Sequence, residues 1–77
     1  MNSEVNQSIE RLLDKDATSA QRKMALKQLG EVLEEDYILN LPPQRPILKA
    51  LESLSRRGAV ESAVKSKAKK LIKEYGL

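Results

Sequence analysis

Val60-Glu61-Ser62-Ala63-Val64-Lys65-Ser66-Lys67-Ala68-Lys69-Lys70-Leu71-Ile72-Lys73-Glu74-Tyr75 is the stretch that decides the fold class. Its apolar residues Val60, Val64, Ala68, Leu71, Ile72 and Tyr75 fall on one stripe of a 3.6-residue period. Lys65, Lys67, Lys69, Lys70 and Lys73 fill the other sides, and those near the C-terminal end suit the negative pole of a helix dipole. The spacing predicts a helix over 60–75, ended by Gly76.

Working backwards, Gly58 reads as the left-handed stop of a preceding helix over 46–57. Pro46 stands at a natural first position of that helix, with Ile47, Leu48, Leu51 and Leu54 turned inward. Pro42, Pro43 and Pro46 each push their predecessor out of the α region, so no long helix crosses 41–46. A short helical turn over 41–45 fits there. Tyr37-Ile38-Leu39-Asn40-Leu41 is apolar but too short to classify by period. Further upstream, Thr18 and Gln21 form a capping box, the hydroxyl serving the amide of Gln21 and the amide side chain reaching back. The helix they open, over 19–35, carries Met24, Ala25, Leu26, Leu29, Val32 and Leu33. That face is wider than one neighbour requires, which makes this the central helix. Gly30 within it costs about 1 kcal/mol relative to Ala; a closely approaching neighbour backbone would account for it. The first helix, over 4–14, has Ser3 as N-cap, Glu4 in its first turn and a stripe of Val5, Ile9, Leu12 and Leu13. Asp14-Lys15-Asp16-Ala17 interrupts that stripe. The connections are short, so residues 1–77 read as one all-α domain, a compact bundle of four to five helices.

Composition narrows the function. The 77 residues contain no Cys, His, Trp or Phe, which removes disulfides, thiolate nucleophiles, zinc-thiolate sites and the commonest general base. A chain this short has little margin for a roomy buried pocket. No enzymatic activity, metal or cofactor is expected. The acidic clusters are Asp14 with Asp16, and Glu34-Glu35-Asp36; neither has the alternating oxygen ligands, mid-loop Gly and closing Glu of a calcium loop, and both read as solvated charge flanking helices. No apolar run reaches the ~18–20 residues of a membrane span. The polar, acidic start Met1-Asn2-Ser3-Glu4 does not resemble a secretory signal. A soluble intracellular protein is the expectation.

Charge is unevenly placed: residues 1–36 carry eight acids and five bases (−3), residues 37–77 nine bases and three acids (+6). A basic half suits nucleic acid, an anionic membrane surface or an acidic peptide; it is also what a solvated helix face looks like. Lys65 and Lys69 are the candidate contacts of such a basic face. Nucleic-acid binding through the last helix is the alternative reading. It is weakened by the absence of stacking aromatics and of Asn, Gln or Arg at the first exposed positions of that helix.

Leu51-Glu52-Ser53-Leu54-Ser55-Arg56-Arg57, a short break, and then Val64-x3-Ala68-Lys69-Lys70-Leu71-Ile72-x2-Tyr75 resemble the closing half of the TFIIS N-terminal (LW) domain family. That family includes the N-terminal domains of TFIIS and elongin A and the integrase-binding domain of LEDGF. The likeness extends over about residues 5–75. Tyr75 stands for the usual Trp, and Leu48 for a common Gly. The resemblance implies a right-handed, HEAT-like five-helix bundle in a nuclear protein. Such bundles bind disordered motifs of transcription and chromatin proteins, with acidic residues beside a bulky apolar anchor. By the same resemblance the peptide site lies between two loops: Asp16 matches the acidic position of the first, and Arg56, Arg57 and Val60 match the second. Gly58 occupies the place of a Phe, so one wall of that pocket is missing. A monomer is the expectation, and a purely structural assembly domain, such as an oligomerisation unit, is the third reading.

Overall fold

A computed structural model describes residues 3–76. They form four α-helices, α1 (Ser3–Leu13), α2 (Ser19–Ile38), α3 (Arg45–Ser55) and α4 (Ser62–Tyr75), with no strand among the described residues. No helix among them is long and apolar enough to cross a membrane. α1 begins at Ser3 itself, which makes Ser3 the first helical residue and not the expected N-cap.

The capping box at the start of α2 forms: Gln21 N donates to Thr18 Oγ1 (3.1 Å) and Thr18 N to Gln21 Oε1 (2.8 Å). The helix runs past the expected residue 35 to Ile38 and stops in a Schellman motif. Leu41 N donates to Asp36 O (2.8 Å) and Asn40 N to Tyr37 O (3.1 Å). Asn40 supplies the left-handed residue, at φ 59°, a conformation that Asn tolerates better than most. No helical turn forms over 41–45: residues 41–44 are irregular and α3 begins at Arg45. Gln44 is the N-cap of α3, which shifts Pro46 from the first helical position to the second; its missing N–H is equally harmless there. Gly58 does not act as a left-handed stop, because no described glycine has positive φ. Instead α3 closes on tight i→i−3 bonds, Arg56 N to Ser53 O (3.3 Å) and Arg57 N to Leu54 O (3.1 Å).

The helices pair as two hairpins stacked side by side. α1 packs on α2, α3 on α4, α1 on α3 and α2 on α4. Ser19 of α2 lies against Glu61 at the start of α4, Gly30 against Leu71, and Tyr37 against Tyr75, so α2 and α4 run in the same direction. The two hairpins share one register. α1 and α3 have the same length, and Arg45 follows Ser3 by 42 residues. At that offset Val5 matches Ile47, Ser8 matches Ala50, Leu12 matches Leu54 and Leu26 matches Ala68, all of them buried. Each hairpin has an apolar face that it cannot cover alone, and stacking covers both. This is the packing logic of helical solenoids.

The shared core is built on the fully buried Leu12, Leu26, Leu29, Leu33, Ile47, Leu51, Leu54 and Val64. Ser8 is buried as well, its hydroxyl donating to Gln28 Oε1 (2.8 Å). Met24 departs from the expected inward face and is 54% exposed. The inward positions of α2 are 25, 26, 29 and 33, and Met24 stands about 100° around the helix from Ala25. Leu48 and Val32 are half-buried at the margin of the core. What approaches Gly30 is not a backbone but the Leu71 side chain, whose Cδ2 lies 3.4 Å from where a Cβ would stand. That is ordinary contact with a flexible group. Gly30→Ala should therefore recover most of the helix-propensity difference and stabilise the fold by up to about 1 kcal/mol, read from the midpoint of urea denaturation; a clear loss of stability would show that Leu71 has no room to give.

Tyr75 closes the α4 stripe but is only half-buried, packed on the margin of the core with its ring edge-on to Tyr37 (centroids 6.0 Å apart, interplanar angle 69°). Truncating it should thus cost less than the ~3–5 kcal/mol of a fully buried large aromatic. Its phenol pKa lies above the ordinary value of 10.0, through desolvation first and then the negative fields of Glu34, Glu74 and Tyr37. The fold favours the neutral phenol. Its contribution to stability is full below the unfolded-state value and fades as pH rises through the folded-state one. Absorbance titration near 295 nm should find one tyrosine ionising later than a free one, and Glu34→Gln should bring it back towards normal. Two tyrosines titrating together at the free value would contradict this.

Candidate functional site

An α-helix leaves its last carbonyls without intrahelical donors. At the end of α1 those groups are taken up by two arginines from elsewhere in the chain. Arg22, one turn into α2, donates from Nε to Leu12 O (3.3 Å) and from Nη2 to Asp14 O (2.7 Å). Arg57, just past α3, donates from Nη1 to Leu13 O (2.8 Å). Both guanidinium groups also lie at the negative pole of the α1 dipole, where a cation is favoured. Because Arg57 comes from the second hairpin, this contact ties the α3–α4 loop to the α1–α2 loop.

Two further bonds shape the same end of the molecule. Asp14 Oδ1 accepts from Asp16 N (2.9 Å), an Asx turn that holds the first loop. Ser19 Oγ donates to Glu61 Oε2 (2.8 Å), joining the first residue of α2 to the N-cap of α4. Between the loops lies an open groove of about 450 Å³ lined by Lys15, Arg22, Arg57, Gly58, Ala59 and Val60. Its lining combines three cations with three small or apolar residues, of which only Val60 is buried. At Gly58 a Cβ would meet nothing within 4 Å, so that side of the groove is open.

The sequence-predicted residues divide at this groove. Arg57 lines it, but part of its guanidinium is committed to capping α1. Val60 lines it too while being 7% exposed and part of the core. Arg56 is exposed beside it, and Asp16 is exposed in the opposite loop. In that loop it is the carboxylate of Asp14, not that of Asp16, that accepts a backbone amide. Lys65 is half-buried and Lys69 exposed, both on α4 and outside the groove lining. Arg22 and Lys15 were not singled out from the sequence. Nothing in period or composition separates Arg22 from its neighbour Lys23; only the packing of α2 on α1 gives it carbonyls to bind. Among the described residues no three His, Cys, Asp or Glu side chains cluster as a metal site would need.

Comparison of the chain with protein-family models, with curated proteins and with solved structures finds no match in any of the three.

Removing the Arg57 guanidinium leaves Leu13 O without its partner in a half-buried position. Arg57→Met, which keeps the apolar stem, should cost about 1.5–3 kcal/mol, and Arg57→Lys should recover only part of that because the planar fork is lost. Denaturant titration of the two variants checks this. A loss under about 0.5 kcal/mol for Arg57→Met would mean that water replaces the guanidinium without penalty.

Proposed function

We propose that this chain is a protein–protein interaction module whose loop-end groove takes short, partly acidic linear motifs with a bulky apolar anchor. The observation that carries the reading is the groove itself: two loops joined by Arg57, lined by the cations Lys15, Arg22 and Arg57 and by the small residues Gly58, Ala59 and Val60. A shallow groove with this lining accepts one large side chain. The cations attract the acidic flank and speed encounter. The TFIIS N-terminal-like pattern of residues 51–75 supports the same reading and suggests disordered segments of nuclear transcription or chromatin proteins as the source of such motifs. In this reading the domain binds and does no chemistry.

The rival is phosphate binding by α4, favoured by the exposed Lys67, Lys69, Lys70 and Lys73 along that helix. Asp16 separates the two: by the family resemblance its carboxylate would hold a partner backbone amide, so its removal should weaken such a motif while strengthening any phosphate ligand. An NMR titration with an acidic, Phe-containing peptide should shift residues 14–18 and 56–61 together. Gly58→Phe, which rebuilds the open wall where there is room for a side chain, should tighten that binding several-fold. Duplex DNA that instead shifts residues 65–73, tightens on Asp16→Asn and shows a steep salt slope would replace the proposal with its rival.

A further inference from the structure

The opposite end of the molecule carries a feature that the groove does not use. Tyr37, Ile38, Leu39 and Leu41, at and beyond the end of α2, are 70%, 70%, 58% and 52% exposed. Four large apolar side chains in five consecutive residues stay exposed, although the Tyr37 ring meets Tyr75 edge-on, unlike the singly scattered apolar residues of an ordinary surface. Directly before them stand Glu31, Glu34, Glu35 and Asp36, and residues 28–44 contain no base. Asp36 is occupied by Gln44 Nε2 (3.3 Å), while Glu34 and Glu35 are exposed. This tip has the composition that the groove calls for, carboxylates beside bulky apolar anchors.

We infer that the tip of one molecule docks into the loop-end groove of a second copy, head to tail, with Leu39 and Leu41 as anchors and Glu34 against the groove's cations. The inference rests on the groove reading above and names a partner for it. The charges are complementary across the contact: −4 over residues 28–44 faces a groove lined by Lys15, Arg22 and Arg57. The geometry excludes an intramolecular version. The groove sits at the Ser19 end of α2 and the tip at its Ile38 end, about 28 Å apart at 1.5 Å per residue. A contact between opposite ends of like molecules builds open chains or rings when the copies follow one another, and a closed pair when two antiparallel copies dock reciprocally. It departs from the monomer expected from the sequence.

Two variants at exposed positions block one end each without touching the core. Glu34→Lys with Leu39→Ser removes the tip; Lys15→Glu with Ala59→Asp removes the groove. In sedimentation equilibrium the wild-type average mass should rise above the 8.7 kDa of one chain as concentration approaches about 1 mM, a range suited to a weak contact. Each double variant alone should stay monomeric, with association at least tenfold weaker. An equimolar mixture should recover a two-chain species and nothing longer, because it offers one free tip and one free groove. A wild type that stays monomeric, a variant that still associates alone, or a mixture that does not pair overturns the inference. A peptide of residues 33–43 keeps this separate from the groove reading. If it fails to shift residues 14–18 and 56–61 while a foreign acidic peptide with Phe does, self-docking falls and the module reading stands. If neither peptide binds, both fall.

Discussion

The end of α1 is the constraint on which the rest depends. A helix of eleven residues that finishes against a second hairpin presents carbonyls that are partly buried at Leu12 and Leu13, and an unmet buried carbonyl costs on the order of 1–3 kcal/mol. The chain meets it with one arginine from the same hairpin and one from the other. The second of these fixes where the α3–α4 loop must stand. Once that loop is held against the first, the groove exists as a by-product of satisfying a helix terminus. Its cationic character has the same origin, since the groups that suit the negative end of a helix are guanidiniums.

The stacked hairpins give the molecule two unlike ends. With α2 and α4 running the same way, both inter-helix loops of the hairpins gather at one end, and the C-terminal ends of α2 and α4 gather at the other. The groove at the loop end is lined by Lys15, Arg22 and Arg57 among the acids Asp14, Asp16 and Glu61, and the far end carries the acidic run and the exposed apolar tip beside Lys73 at the end of α4. The polarity of charge along the sequence, negative first half and positive second, does not map onto this division. Lys15 and Arg22 belong to the acidic half yet line the groove, and the tip spans the boundary between the halves. Net charge by segment is therefore a poor guide to which charges meet at either end.

Much of the fold is legible residue by residue. The capping box at Thr18 and Gln21 forms because it needs only four consecutive residues, and the stripes of α1, α3 and α4 are inward because a local period permits one buried face. The failures share a cause. Gly58 looked like a stop because glycine often is, but α3 was closed by i→i−3 bonds and a loop pulled towards α1. The end of α2 is set by Asn40 in the left-handed region, and an Asn two residues before Pro42 is the local signal for it. Met24 was placed inside because an apolar residue on a broad face is ambiguous until the neighbouring helices choose their angle.

By itself the sequence determined an all-helical chain, four main helices with their boundaries to within a few residues, and a short list of loop positions, since these follow from propensity, caps and period over a few turns. The tertiary structure alone decided that the hairpins stack in one register, that Arg22 and Arg57 converge on one helix end, and that Tyr37 to Leu41 stay uncovered. Those outcomes depend on contacts between residues far apart in the chain, such as Leu13 with Arg57 or Ser19 with Glu61. No local pattern encodes such a pairing, because it is selected by how two apolar faces fit and by which polar groups are left needing partners once they do.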